Sequence, residues 1–132
     1  MATELPQTIL IVDDEADVAD TCARVLTRAG FDCLVAYDSA AALVLFDSRI
    51  PALILSDINL PDGDGFEIAR YVRRRSPATP VILVTTFHDL YLPEQATRAG
   101  ATYYLRKPFS NLELISMVKS LLVADSDPSP GD

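Results

Sequence analysis

The chain has 132 residues, and 49% of them are hydrophobic, enough apolar material for one domain with a buried core. A net charge of -8 argues against direct nucleic-acid binding, since a phosphate backbone requires a positive face to displace its counterions. Two cysteines without CxxC spacing and one histidine exclude an ordinary zinc site, so any metal must be held by oxygen, and Cys22 and Cys33 read as small buried hydrophobes.

Residues 1–6 read as a polar N-terminal extension, the folded domain as 7–123, and 124–132 as a disordered tail or the start of a linker, because ADSDPSPGD has no apolar content to fold around. MATELPQ has no signal-peptide pattern and no apolar run approaches about 18 residues, so a reducing cytoplasm and no membrane partner are expected. Short apolar runs alternate with amphipathic stretches, the pattern of a parallel sheet with crossover helices. The first strand is expected over Thr8 to Asp13. A helix over Glu15 to Ala29 follows, with Val18, Cys22, Val25, Leu26 and Ala29 on one face and Gly30 as its stop. Asp32 to Ala36 is the second strand, and a helix capped by Ser39 ends near Phe46. Ala52 to Ser56 is the third strand, followed by a helix from Phe66 to Arg75 that buries Phe66, Ala69 and Val72. Pro80 to Thr85 is the fourth strand, and a short helix spans Pro93 to Ala99 with Gly100 behind it. Ala101 to Arg106 is the fifth strand. The last helix opens on a Ser110/Glu113 capping box and packs Ile115, Val118, Leu121 and Leu122. The consecutive apolar runs ILIV, LIL and VILV predict central strands covered on both faces.

Ligands of a doubly wound sheet bind outside the carboxyl ends of its strands, and here those ends are unusually polar. Strand one ends in Asp13 and Asp14, strand three in Asp57, strand four in Thr85 and Thr86, and strand five runs into Lys107. Right-handed winding would gather these residues at one edge. Like charges about 4 Å apart repel by ~4 kcal/mol at an effective dielectric of about 20, so three aspartates invite a divalent cation. Oxygen ligands with room for water suit magnesium, with manganese as a substitute. Such an ion, an ammonium and a hydroxyl together can neutralise a transferring phosphoryl group, and Asp57 is the natural nucleophile.

At this point the residues resemble the response-regulator receiver domains of two-component signalling, from about Gln7 to Leu122. ILIVDDE, LILSDINLPDGDGFE, VILVTT and YYLRKPF carry the likeness, in order. It implies an α/β fold, a doubly wound five-stranded parallel sheet of order 2-1-3-4-5 with five helices, flavodoxin-like and CheY-like. It also implies roles. Asp14 would bind magnesium directly, Asp13 through water, and Asn59 by its backbone carbonyl, while Asp57 would both hold the ion and accept the phosphoryl group. Thr85 and Lys107 would contact phosphoryl oxygens. Tyr104 would turn inward with Thr85, and Lys107-Pro108 would be a cis peptide. The implied partners are a sensor histidine kinase or phosphotransfer protein, an output domain or protein effector, and a second copy in a phosphorylation-dependent homodimer. The implied role is a phosphorylated signalling module that assists its own phosphotransfer and dephosphorylation only.

Plainer readings compete at each position. Asp13 and Asp14 taken alone are helix caps, and Asp57 alone could open a turn. Asp62, Gly63, Asp64 and Gly65 read as turn punctuation, His88 as an exposed loop residue, and Arg73, Arg74 and Arg75 as a solvated helix end. Two features depart from the pattern. Thr86 stands where the family usually carries alanine or glycine, which narrows access to the phosphoryl group and predicts an altered phosphoryl lifetime. The loop FHDLYLP, with Phe87, Leu90, Tyr91 and Leu92, is apolar enough to suggest a partner or dimer surface. Of the rival functions, a magnesium-dependent aspartyl-phosphate hydrolase needs a second aspartate where Asn59 stands, and a pseudo-receiver would not need the complete acidic set. Neither GxGxxG nor GxxxxGK[ST] occurs.

Overall fold

The computed structural model describes residues 6–86 and 92–126. Twelve elements follow in chain order. They are β1 (Thr8–Val12), α1 (Ala16–Arg28), β2 (Asp32–Ala36), α2 (Ser39–Ser48), β3 (Leu53–Asp57), the two-residue strands β4 (Asn59–Leu60) and β5 (Gly63–Asp64), α3 (Gly65–Arg75), β6 (Val81–Thr85), α4 (Leu92–Ala99), β7 (Tyr103–Arg106) and α5 (Asn111–Ser126). The sheet runs β2-β1-β3-β6-β7, all parallel. With the β4-β5 hairpin set aside, this is the predicted order 2-1-3-4-5.

Alternation along each strand divides the core in two. Leu10, Val12, Ile54 and Leu83 face α2 and α3 with Phe46, Ile68 and Val72, whereas Ile9, Ile11, Leu53, Leu55 and Val84 face α1 and α5 with Leu26, Leu114 and Val118. All five residues of β1, β3 and β6 are buried, as expected of central strands between helical layers.

Several boundaries differ from the sequence reading, each for a local reason. Asp38, not Ser39, caps α2, its carboxylate accepting the N–H of Ala41 at 2.8 Å, while Ser39 is the first helical residue and is buried. That helix also runs two residues past Phe46. In α3 it is Ile68, with Ala69 and Val72, that is buried, and Phe66 is only partly covered. Helix α5 continues to Ser126, three residues into the stretch expected to be tail; Ile115, Val118, Leu121 and Leu122 pack against the core as expected, and Leu114 joins them as a fully buried residue. Its predicted capping box is present, with Ser110 N–H on Glu113 Oε1 at 2.8 Å and Glu113 N–H on Ser110 Oγ at 3.0 Å. Leu92 opens α4 instead of ending a loop, while Phe87, His88, Leu90 and Tyr91 lie outside the described residues, as do 1–5 and 127–132. Among the described residues no helix is long and apolar enough to cross a membrane.

Candidate functional site

Register decides where the polar strand ends meet. Val12 pairs with Ser56, Asp57 with Val84, and Thr85 with Arg106, so Asp13, Asp57, Thr85 and Lys107 all stand at the carboxyl edge of neighbouring strands. Two backbone bonds hold the outer pair in step: Asp13 N–H donates to Ala36 O at 3.1 Å, and Lys107 N–H donates to Thr85 O at 2.7 Å.

Lys107 is the hub of the site. Its ammonium lies 2.9 Å from Asp13 Oδ2, 3.1 Å from Asp57 Oδ2 and 3.4 Å from Glu15 Oε1, on a side chain only 12% exposed. Asp13 and Asp57 are buried, while Asp14 is exposed. One carboxylate oxygen from each of the three aspartates lies within 4.8 Å of the others. Asp13 uses its two oxygens separately: Oδ1 accepts Glu15 N–H at 2.9 Å just before α1, whose N-cap is Glu15 and not Asp13, and Oδ2 accepts from the Lys107 ammonium. Asp57 divides in the same way, with Oδ1 accepting Asn59 N–H at 3.1 Å.

Burial pushes the Asp57 carboxyl above its usual range, and this outweighs the lowering by the Lys107 ammonium and the Asn59 N–H. For Lys107 the balance is reversed: burial alone would lower it, but the bonds to Asp13 and Asp57 hold it firmly protonated. Four carboxylates, Asp13, Asp14, Glu15 and Asp57, face one ammonium, and the three aspartates form an all-oxygen donor set that fits a hard divalent cation such as magnesium. Asp13, Asp14 and Asp57 are the side chains that could hold it. Cys22 lies beneath the site, 6% exposed, and burial first, then Asp13, raise its thiol to about 11. It is a neutral packing group at physiological pH.

The remaining predicted residues sit around this group. Thr85 is buried at the end of β6 and Thr86 is exposed beside it. Asn59 is exposed at the start of the β4-β5 hairpin. Tyr104 pairs with Leu83 and is half-buried against the α2-α3 side of the core, outside the carboxylate cluster. The Lys107-Pro108 peptide bond is cis. Beside Lys107 a groove of about 380 Å³ opens between α1 and the β7-α5 connection, lined by Asp17, Thr21, Cys22, Phe109 and Leu114 among others.

Three residues near the site escaped the sequence reading. Glu15 reads in the sequence only as the start of a helix, yet it is the third carboxylate on Lys107. Asp62 and Asp64, which read locally as turn punctuation, accept backbone N–H groups at the starts of two helices, Asp62 from Ser39 and Ala40 and Asp64 from Glu67. The Asp64 cap was legible, because an aspartate three residues before Glu67 matches the capping signature. The Asp62 contacts cross 23 and 22 residues of sequence, to Ser39 and Ala40, and carry no local signal.

A five-stranded doubly wound sheet with aspartates and a lysine gathered at its carboxyl edge defines a CheY-like α/β domain. Residues 9–119 match the family model of the response regulator receiver domain, and the chain belongs to that family. It is 38% identical over 118 residues to the phosphate regulon transcriptional regulatory protein PhoB of Pseudomonas aeruginosa, covering 88% of this chain and 52% of that protein. It is 33% identical over 111 residues to the DNA-binding transcriptional regulator NtrC of Escherichia coli, covering 84% of this chain and 24% of that one. The chain thus spans about half or less of the length of these curated relatives. A CheY-like response regulator receiver domain protein from Methanospirillum hungatei superimposes with a TM-score of 0.87 at 28% identity, over 92% of this chain and 97% of that one. The chemotaxis protein CheY4 of Vibrio cholerae gives 0.84 at 29% identity, over 89% and 99%.

Proposed function

We propose that this receiver domain is switched by magnesium-dependent phosphorylation of Asp57. The observation that carries the reading is the convergence of Asp13, Asp14, Asp57 and Lys107 within hydrogen-bonding or metal-bridging reach of one another. Asp57, held by the Asn59 N–H on one oxygen and by Lys107 on the other, is oriented as the nucleophile. Its oxygen attacks the phosphorus of a phosphohistidine on the donor. A P–O bond forms as the P–N bond breaks, with the electron pair leaving on the imidazole nitrogen. Asp13, Asp14, Asp57 and the Asn59 carbonyl would hold the ion, which when bound neutralises charge on the phosphoryl oxygens. Lys107 has only to shift its ammonium from the Asp57 carboxylate to a phosphoryl oxygen, and the Thr85 hydroxyl grips another. The groove beside Lys107 gives the donor its approach, and a sensor histidine kinase or phosphotransfer protein fits the role.

The aspartyl phosphate adds charge of about -1.5 to -2 at the sheet edge, which Thr85 and Tyr104 transmit to the α4-β7-α5 face. An output domain, a protein effector or a second copy of the chain would read that face. The test is intact mass after exposure to a small phosphodonor. One added phosphoryl group is expected with magnesium or manganese and none after chelation; uptake that ignores the metal would refute the reading. Thr86 bears on how long the group survives. Its exposed side chain beside Thr85 hinders water, so Thr86→Ala should hydrolyse several-fold faster, measured as decay of the phosphorylated mass; an unchanged decay would remove Thr86 from the mechanism.

A further inference from the structure

The segment that follows the phosphoacceptor has little of its own to hold it. Strands β4 and β5 have two residues each, pairing Asn59 with Asp64 and Leu60 with Gly63, and an isolated hairpin of that size is marginal in water. Its two-residue link is Pro61-Asp62. Proline fixes φ near about -65°, which excludes the two turn types whose twist suits a two-residue hairpin, since both need positive φ at that position. At its base, Asn59 N–H donates to Asp57 Oδ1 of β3 at 3.1 Å, and Gly65 N–H, at the start of α3, donates to Ile58 O at 2.8 Å. Its tip is tied elsewhere: Asp62 Oδ1 accepts Ser39 N–H at 2.7 Å and Oδ2 accepts Ala40 N–H at 2.9 Å.

These bonds complete the start of α2. Asp38 accepts the N–H of Ala41 with its side chain and that of Ala42 with its carbonyl, which leaves Ser39 and Ala40 to a residue from another segment. A carboxylate at this end also meets the positive pole of the helix. Both N–H bonds hold the Asp62 carboxyl below its usual range.

We propose that Asp62 is a positioning residue, whose bidentate grip on α2 fixes the hairpin and with it the backbone of Asn59, whose N–H Asp57 accepts and whose carbonyl would be a metal ligand. This rests on the phosphoacceptor reading given above. The effect expected of an outer support of a metal site is a loss of affinity, with the ligands themselves intact.

The test is an amide-detected NMR titration of the whole chain with magnesium, reading the Asp57 and Asn59 signals, together with hydrogen exchange at Ser39 and Ala40. Asp62→Ala should raise the magnesium Kd roughly tenfold and speed exchange at both amides. Asp62→Asn, which keeps one acceptor, should fall between. Asp38→Ala is the discriminating variant, because it damages the same helix end without touching the hairpin; it should lower Tm and leave the Kd unchanged. The inference is overturned if Asp62→Ala binds magnesium as the parent does, or if Asp38→Ala weakens binding equally. A parent chain whose Asp57 and Asn59 signals ignore magnesium would instead refute the phosphoacceptor reading, and this inference with it.

Discussion

Asp57→Asn should take up no phosphoryl group from a small phosphodonor under conditions where the parent chain gains one, with intact mass as the readout. The loss is total because an amide oxygen is a poor nucleophile and the variant offers no second carboxylate in the same place. Asp13, which shares Lys107 with Asp57, already commits one oxygen to the Glu15 N–H and the other to Lys107. The variant should also remain folded. Lys107 keeps Asp13 at 2.9 Å and Glu15 at 3.4 Å, and the side-chain oxygen of Asn can still accept the Asn59 N–H. The sign of the stability change follows from the titration of Asp57. A carboxyl whose folded pKa lies above its unfolded value withdraws stability as pH rises from the ordinary carboxylate range through the raised pKa, so at neutral pH its ionised form costs stability. Replacing it by a neutral amide removes that cost. In metal-free buffer at neutral pH, Tm of Asp57→Asn should therefore be no lower than that of the parent. A marked fall would mean that the Asp57-Lys107 pair is a structural support and not a poised site.

The largest stability effect is expected at Gly65. A Cβ built there would stand 2.6 Å from the Asp57 carbonyl oxygen, 2.9 Å from Leu83 Cδ2 and 3.2 Å from Ile58 Cα. Helix α3 cannot retreat to make room, because its first N–H is bonded to Ile58 O at 2.8 Å. Gly65→Ala must either break that bond or push back the end of β3. Overpacking of this kind costs about 3 kcal/mol, roughly 10 °C in Tm for a domain of this size. Because the displaced atom belongs to Asp57 itself, phosphoryl uptake should slow as well. Gly30 supplies the contrast, with φ at +106° and nothing within 4 Å of an added Cβ. Gly30→Ala would feel only backbone strain, about 1 kcal/mol, and leave uptake unchanged. Thermal denaturation of the two variants side by side checks the ranking, and equal Tm values would show that β3 and α3 yield more easily than their contacts suggest.

Much of this was legible in the chain because it is local. Three consecutive apolar runs announce strands buried on both faces; amphipathic spacing announces the helices between them; and the Ser110/Glu113 box needs only four residues to be recognised. Where two cap residues stood side by side, Asp38 and Ser39, the local signal was ambiguous by one position, and packing settled it by burying the serine. The same applies to α5, where Leu114 and Ile115 both reach the core and only the angle of the helix on the sheet decides which is covered more fully.

The order of polar residues along the sequence determined that Asp13, Asp57, Thr85 and Lys107 end successive parallel strands, since strand periodicity and right-handed crossovers depend on the chain's own pattern and chirality. Distances between them belong to the tertiary structure alone. That Lys107 touches Asp13 and Asp57 together, that Glu15 joins them, that Asp62 closes a remote helix start at Ser39 and Ala40 and that Gly65 leaves no room for a methyl group all follow from register and close packing between segments remote in sequence. Such contacts are set by how layers interlock at atomic separation, and no pattern confined to neighbouring residues encodes them.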